Sequence, residues 1–354
     1  MGDVSRLART LQGATGERFV RDELAELVSQ VLRPWIAHDA LRLFGMNPAT
    51  GAVSYGFLHG FPPSLLHAQL RDSYLGDDPF SPADIARLAT PTGLLGGDVA
   101  RDHGAAPGHR QASRTLAAHG AGSELRLLLR EGPRLPWGLL ALVREAGRSP
   151  FEQDDARRVG ELSAPLIALL RGYATASAPR AGGRYLPPGV VLVGADDQVR
   201  SASPQARAWL DEIHPGRGLA PEWMPSASMR EISLAARRHA ADPAAPPALA
   251  CSPAAFLGRR IAVHAQCLDD AGKGEVAVVI QEATGALLLP TFAAWHRLTA
   301  REREVVERLC SGAAPKQIAR ILDVSVHTVN THLKAMFRKT GTCGRDDLQA
   351  TLNS

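Results

Sequence analysis

Residues 298–348 read LTAREREVVERLCSGAAPKQIARILDVSVHTVNTHLKAMFRKTGTCGRDDL, and their punctuation predicts a run of short helices. Thr299 opens the first, with Glu302 three residues on, the T-x-x-E arrangement in which each side chain satisfies the other's backbone N–H. Val305, Val306 and Leu309 form its apolar stripe, and CSGAAP ends it. Pro315 suits the first turn of a second helix, KQIARIL, because a missing N–H costs nothing there. After the turn DV, Ser325 caps a third helix, VHTVNTHLKAMFRKT, and Gly341 stops it. RDDLQATL forms a fourth.

In the third helix Val326, Val329, Leu333, Met336 and Phe337 fall on one side at helical spacing. His327, Thr328, Asn330, Thr331, Lys334 and Arg338 then occupy the sides away from it. A helix packed on one face and presenting Thr, Asn and Lys on the other has the chemistry of a major-groove reader. Asn pairs with adenine through two hydrogen bonds, Lys meets guanine acceptors or phosphate, and the Thr methyl meets the thymine methyl. Lys316, at the start of the second helix, is placed to meet a phosphate with help from the helix dipole. The bland alternative is a solvated charged face on a purely structural helical domain.

This stretch resembles the LuxR/NarL/FixJ-type DNA-binding domain over nearly its full length, through LTxREREVV, GxxxKQIAxxL, VSxxTVxxHLK and FRKTG. The resemblance implies a four-helix, all-α helix-turn-helix domain over 297–354 that binds double-stranded promoter DNA. It puts base reading on Asn330, Thr331 and Lys334, and backbone contacts on Lys316, Thr328, His332 and Arg338. It also implies a homodimer paired through the last helix at Asp347, Leu348 and Thr351, with RNA polymerase as a candidate partner. One departure stands out: the family usually carries Lys where Asn330 stands, so the preferred base shifts towards adenine.

Outward from this tail, charge divides unevenly. Residues 297–354 hold ten Lys or Arg against six Asp or Glu, leaving thirty of each in the preceding chain, so the formal +4 lies in the tail. Nucleic acid is therefore a candidate partner for that segment. Cys251, Cys267, Cys310 and Cys343 lie far apart with no C-x-x-C pair, which suits a reducing cytosol better than a disulfide framework or a zinc site. No apolar run approaches the ~18 residues of a membrane span. The N-terminus lacks a secretory h-region, and Arg6 stands where myristoylation needs Ser or Thr. The expectation is a cytoplasmic protein with no membrane partner.

Ahead of the tail, the 354-residue chain has room for two further domains. In 17–173 an amphipathic helix with a stripe from Phe19 and Val20 to Val31 is followed by the hairpin ALRLFGM–NPATG–VSYGFLHG, a loop-rich middle containing DDPFSPADIARLATPTGLL, a second hairpin at ELRLLLREGPRLPWGLLALVRE, and a closing helix. This α+β order resembles a GAF domain. Residues 174–184 read as a linker. In 185–284, GVVLVGADDQVRSASPQARAWL predicts strand, acidic turn, strand and a helix capped by Ser203, with the helix SMREISLAARRHA and two strands to follow; the segment resembles a PAS domain. Residues 285–296 read as an apolar joint that packs on a neighbouring domain.

No Walker loop, G-x-S-x-G elbow or H-E-x-x-H occurs, and no receiver-type phosphorylation domain precedes the tail. The expectation is a multidomain protein that is not an enzyme, with no cofactor, no metal and no catalytic residue. Three readings stay open. In the first, the front domains sense a small-molecule or protein effector and control the tail. In the second, they serve only dimerisation or protein contact. In the third, an enzyme carries an accessory helical tail.

Overall fold

The computed structural model describes residues 9–10, 13, 21–75, 78–97, 107–132, 136–176, 186–213 and 223–353. The start of the first helical stripe, Phe19 and Val20, and most of the 174–184 linker lie outside these residues.

The first domain runs α1 (Arg21–Leu32), β1 (Ala40–Met46), β2 (Val53–His59), α2 (Pro63–Leu75), α3 (Pro82–Arg87), β3 (Thr92–Gly96), α4 (Pro107–Ala118), β4 (Ala121–Leu129), β5 (Gly138–Glu145), α5 (Gln153–Gly160) and α6 (Ser163–Thr175). Its antiparallel sheet has the order β2-β1-β5-β4-β3. The expected NPATG turn joins β1 to β2, with Gly51 at φ +77, a conformation a side chain would resist. Alternation along the strands sends Leu41, Leu43, Leu125, Leu127, Leu140 and Leu142 into an apolar core shared with α1, α5 and α6. The opposite face is unusual. There Arg42, Glu124 and Arg126 are buried, with the Glu124 carboxylate 3.5 Å from Arg42 Nη2 and 3.1 Å from Arg126 Nη2. Arg126 also reaches Asp78 at 2.7 Å, and Gln69 Nε2 on α2 donates to Glu124 at 2.7 Å. Burial pulls the Arg42 guanidinium down to about 10 against the attraction of Glu124. Burial also disfavours the Arg126 charge, but Glu124 and Asp78 outweigh it and hold that group above its ordinary value.

The second domain runs β6 (Gly189–Val193), β7 (Val199–Ala202), α7 (Pro204–Ile213), α8 (Trp223–Ala241), β8 (Leu249–Ser252), α9 (Ala254–Leu257), β9 (Ile261–Cys267) and β10 (Val276–Glu282). Its order, β7-β6-β10-β9-β8, repeats that of the first sheet. Ser203 caps α7 as expected, its Oγ accepting from Ala206 N at 3.1 Å. Val191, Val193, Val276 and Val278 pack inward against Met229, Ile232 and Ala236 of α8. Trp209 is fully buried, and its ring N–H donates to the Pro187 carbonyl at 2.9 Å.

The structure adds elements that local pattern missed. β3 lies in TGLLG, whose two glycines and flanking Thr and Pro read as loop. β8 is only four residues long. The apolar joint at 285–296 is a helix, α10 (Gly285–Trp295), with Leu288, Leu289, Phe292 and Trp295 buried. It meets α6 on one side and the tail on the other. One apolar core thus runs from α1 through Leu249, Cys251 and Ala262 of the second sheet and α10 into the tail. Asn47 sits at the junction, fully buried, its Nδ2 donating to the Leu249 carbonyl at 3.1 Å and to Thr291 Oγ1 at 2.8 Å. Tyr173 donates to the Ala255 carbonyl at 3.0 Å. Cys251 and Cys267 lie on adjacent strands but not opposite each other: Cys251 faces Ala262 across the ladder. All four cysteines are free thiols, and burial pushes Cys251 up to about 12 against a hydrogen bond from Thr291.

Candidate nucleic-acid interface

The tail forms four helices: α11 (Ala300–Cys310), α12 (Pro315–Ile321), α13 (Val326–Thr340) and α14 (Arg345–Asn353). Thr299 Oγ1 accepts from Glu302 N at 3.2 Å, and Glu302 Oε2 accepts from Thr299 N at 2.7 Å, the reciprocal cap its spacing predicts. The same Glu302 oxygen takes a 2.6 Å bond from Lys339 Nζ near the end of α13. Burial opposes ionisation of this carboxyl, but Lys339 and the Thr299 amide prevail and hold it below its ordinary value. Glu302 therefore fixes the far end of α13 against α11, a contact across 37 residues that no local pattern signals.

The turn between α12 and α13 is equally constrained. Arg301 Nη2 donates to the Leu322 carbonyl at 2.7 Å. Asp323 turns the chain at φ +50, and Val324 N closes on the Ala319 carbonyl at 3.0 Å. Ser325 Oγ accepts from Thr328 N at 3.0 Å and caps α13, while Gly341 ends it at φ +70. Gln317 Oε1 accepts from Ala314 N at 2.8 Å at the start of α12.

Val329, Leu333 and Met336 hold α13 in the core, and Phe337 packs partly against it. Val326, expected on the packed face, is 37% exposed: it is the first residue of α13, and burial begins one turn later at Val329. Asn330, Thr331 and Lys334 are exposed together on the outer face. With His327, Leu333 and Phe337 they line a recess of about 310 Å³. Thr331 Oγ1 donates to the His327 carbonyl at 3.0 Å, so its proton is already used within the helix. Lys316 and Arg338 are exposed, whereas Thr328 and His332 are half-buried. Thr328 Oγ1 shares a 2.9 Å hydrogen bond with the capping Ser325.

The residues expected at a two-fold axis all lie on α14, in different surroundings. Leu348 is fully buried in the apolar core that α10 shares with the tail, and Asp347 is exposed with one oxygen accepting from Cys343 N at 2.7 Å. Thr351 is half-buried, and its carbonyl accepts from Arg260 Nη1 of the second domain at 2.8 Å. That carbonyl is among the last four of α14, which have no partner within a helix, so Arg260 caps the helix from outside. α14 also packs on α10. Near the other end of the tail, His296 is packed at 4.3 Å from the Phe292 ring, with Nδ1 3.2 Å from the Lys339 carbonyl, and Arg297 pairs with Glu131 of the first domain.

Residues 296–350 match the family described as "Bacterial regulatory proteins, luxR family". The C-terminal domain is a luxR-type helix-turn-helix. Over 51 residues the chain is 51% identical to the monoamine regulon transcriptional regulator of Klebsiella aerogenes, a stretch covering 14% of this chain and 22% of that protein. The luxR-type match thus spans about a fifth of the length of that curated relative. Among solved structures, Escherichia coli SdiA aligns with 98% of this chain and 96% of its own at 13% identity and a TM-score of 0.37. The bacteriophytochrome RpBphP3 of R. palustris aligns with 80% of this chain and 63% of its own at 12% identity and a TM-score of 0.30. Scores this low leave the two front domains without a structural assignment. Among the described residues no helix is long and apolar enough to cross a membrane, and no group of three or more His, Cys, Asp or Glu is placed to hold a metal ion.

Proposed function

We propose that the chain is a cytoplasmic transcriptional regulator that reads promoter DNA with α13 as a homodimer, under control of its front half, and that it performs no catalysis. The observation that carries this reading is the joint exposure of Asn330, Thr331 and Lys334 on a helix whose other face is locked into a luxR-type core. Asn330 and Lys334 meet base edges, the Thr331 methyl meets thymine, and Lys316 and Arg338 meet phosphates. Thr328 and His332 contribute backbone contacts from the flanks. Two antiparallel sheets of one strand order, each covered by helices, support reading the front as two α+β modules, GAF-like over 17–173 and PAS-like over 185–284.

Control would act through the packing of the tail. Dimerisation through Asp347, Leu348 and Thr351 requires α14 to leave α10 and Arg260, so an effector that favours that release favours DNA binding. The effector's chemistry separates two versions of this reading. In the first domain the cleft between Gln69, Asp72, Thr115 and Arg126 offers about 10 Å³, room for roughly one water molecule. That cleft is too narrow for a small-molecule effector, so one that acts there would be a protein or a second copy.

A fluorescence titration with duplex DNA tests the groove assignment. Lys334→Ala should weaken binding to the preferred sequence by about 1–3 kcal/mol, and Lys316→Ala should weaken all sequences and flatten the salt dependence. Unchanged affinity in both variants would overturn the reading.

A further inference from the structure

We infer that His327 is a fourth base-reading residue and that the DNA element carries a guanine beside the A·T pair read by Asn330. This rests on α13 being the groove-reading helix. His327 is the second residue of α13 and is exposed. It stands three residues before Asn330, four before Thr331 and seven before Lys334, which puts all four on one face. They line the same recess, together with Leu333 and Phe337. Recognition helices of this kind address base edges with their N-terminal residues, so His327 enters the groove ahead of Asn330.

The positions of its neighbours narrow what His327 can meet. Thr331 Oγ1 is bonded to the His327 carbonyl at 3.0 Å, which ties the backbone of that turn and leaves the imidazole as the outward group. No hydrogen bond or ion pair holds the ring among the described residues. An imidazole always offers at least one N–H donor, and the guanine major-groove edge presents two acceptors, N7 and O6, side by side. Three residues advance about 4.5 Å along the helix, against about 3.4 Å between base pairs, so His327 falls one to two base pairs from the Asn330 contact. The neighbouring Thr331 complements this arrangement, its methyl group offering carbon surface to a thymine methyl, as the T of an A·T pair requires.

Selection from a random duplex library with the full chain, wild type and His327→Ala, provides the test. The wild type should enrich half-sites with G next to or one step from an A·T pair. His327→Ala should keep the A·T preference, lose the G preference, and bind the wild-type site about 5- to 100-fold more weakly. His327→Asn should move the selected base from G to A. Replacing the thymine by deoxyuridine should weaken the wild-type complex by removing the methyl group. An A·T-containing site that His327→Ala selects unchanged, with all sequences weakened equally, would make His327 a phosphate contact and overturn the inference alone. A wild type that binds no sequence above another would instead overturn groove reading by α13. Circular dichroism of each variant separates a lost contact from a lost fold.

Discussion

The two five-stranded sheets share one strand order and use it differently. The first is covered on both faces, by α1, α5 and α6 on one side and α2, α3 and α4 on the other, and it buries the Arg42–Glu124–Arg126 cluster within the second of these layers. The second sheet seals one face with α7 and α8. Its outer face meets the first domain at the β8–β9 edge, through Leu249, Cys251 and Ala262, while Val190 on β6 remains 45% exposed. A sheet closed on both sides can hold these charges out of water because the carboxylates of Glu124 and Asp78 pair with the guanidinium groups of Arg42 and Arg126. A sheet closed on one side is free to act as a joint. This contrast predicts that the first domain behaves as a rigid body and the second, which meets both it and the tail, as the joint.

Removing a partner from the rigid body should have the largest effect. Glu124→Leu leaves two buried guanidinium groups without their shared carboxylate and should cost about 3–5 kcal/mol in urea unfolding. A loss below 1 kcal/mol would mean that this face is wetter than its burial suggests, and the contrast between the sheets would fail.

The joint should respond to pH. Burial, with a further push from Arg260, lowers His296 to about 4 against the pull of the Lys339 carbonyl. The folded state thus holds the ring neutral while the unfolded chain protonates it near 6.5. The stabilisation is complete above about pH 6.5 and is lost as pH falls towards 4, at most about 3 kcal/mol for this shift, with solvent screening reducing it. Thermal unfolding followed from pH 7 to pH 4 should show that slope, and His296→Asn should flatten it.

Next in size is the node between domains. Asn47→Ala strips hydrogen bonds from the Leu249 carbonyl and Thr291 and should cost about 1–3 kcal/mol. Hydrogen exchange should locate the loosening at β8 and α10 and leave the β4–β5 ladder protected. Protection lost evenly across both sheets would show one cooperative unit instead of a body and a joint. The smallest effect is expected at the open face: Val190→Ser should change stability by no more than about 0.5 kcal/mol. A larger loss would mean that a second copy covers this face in solution, which sedimentation of the two proteins would detect.

Much of the tail was legible because its signals are local. The Thr299–Glu302 box, the Ser325 cap, Gly341 and the 3–4 spacing of Val329, Leu333 and Met336 each act within one or two helical turns, and the exposed face carrying Asn330, Thr331 and Lys334 follows from them. Val326 broke the pattern because periodicity describes a helix's side and not where along it burial begins. In the front half both hairpins and the Ser203-capped helix were also legible, through turn residues and strand alternation. β3 and β8 were not, since short strands with Gly or small residues take their structure from the ladder they join.

The sequence by itself therefore determined the helix boundaries of the tail, the exposed face of α13 and the strand-rich character of two preceding domains, because caps, turns and periodicity depend on near neighbours. Only the tertiary structure decided how these pieces engage. It placed α10 as a buried helix between the domains, set Lys339 on Glu302 and Arg260 on the Thr351 carbonyl, and gathered Arg42, Glu124, Arg126 and Asp78 in one place. Apart from Glu124 and Arg126, which stand two residues apart on β4, those contacts join residues 37 to 91 positions apart. No local propensity encodes them; they exist because burial brings distant charges together and leaves each the other's best partner.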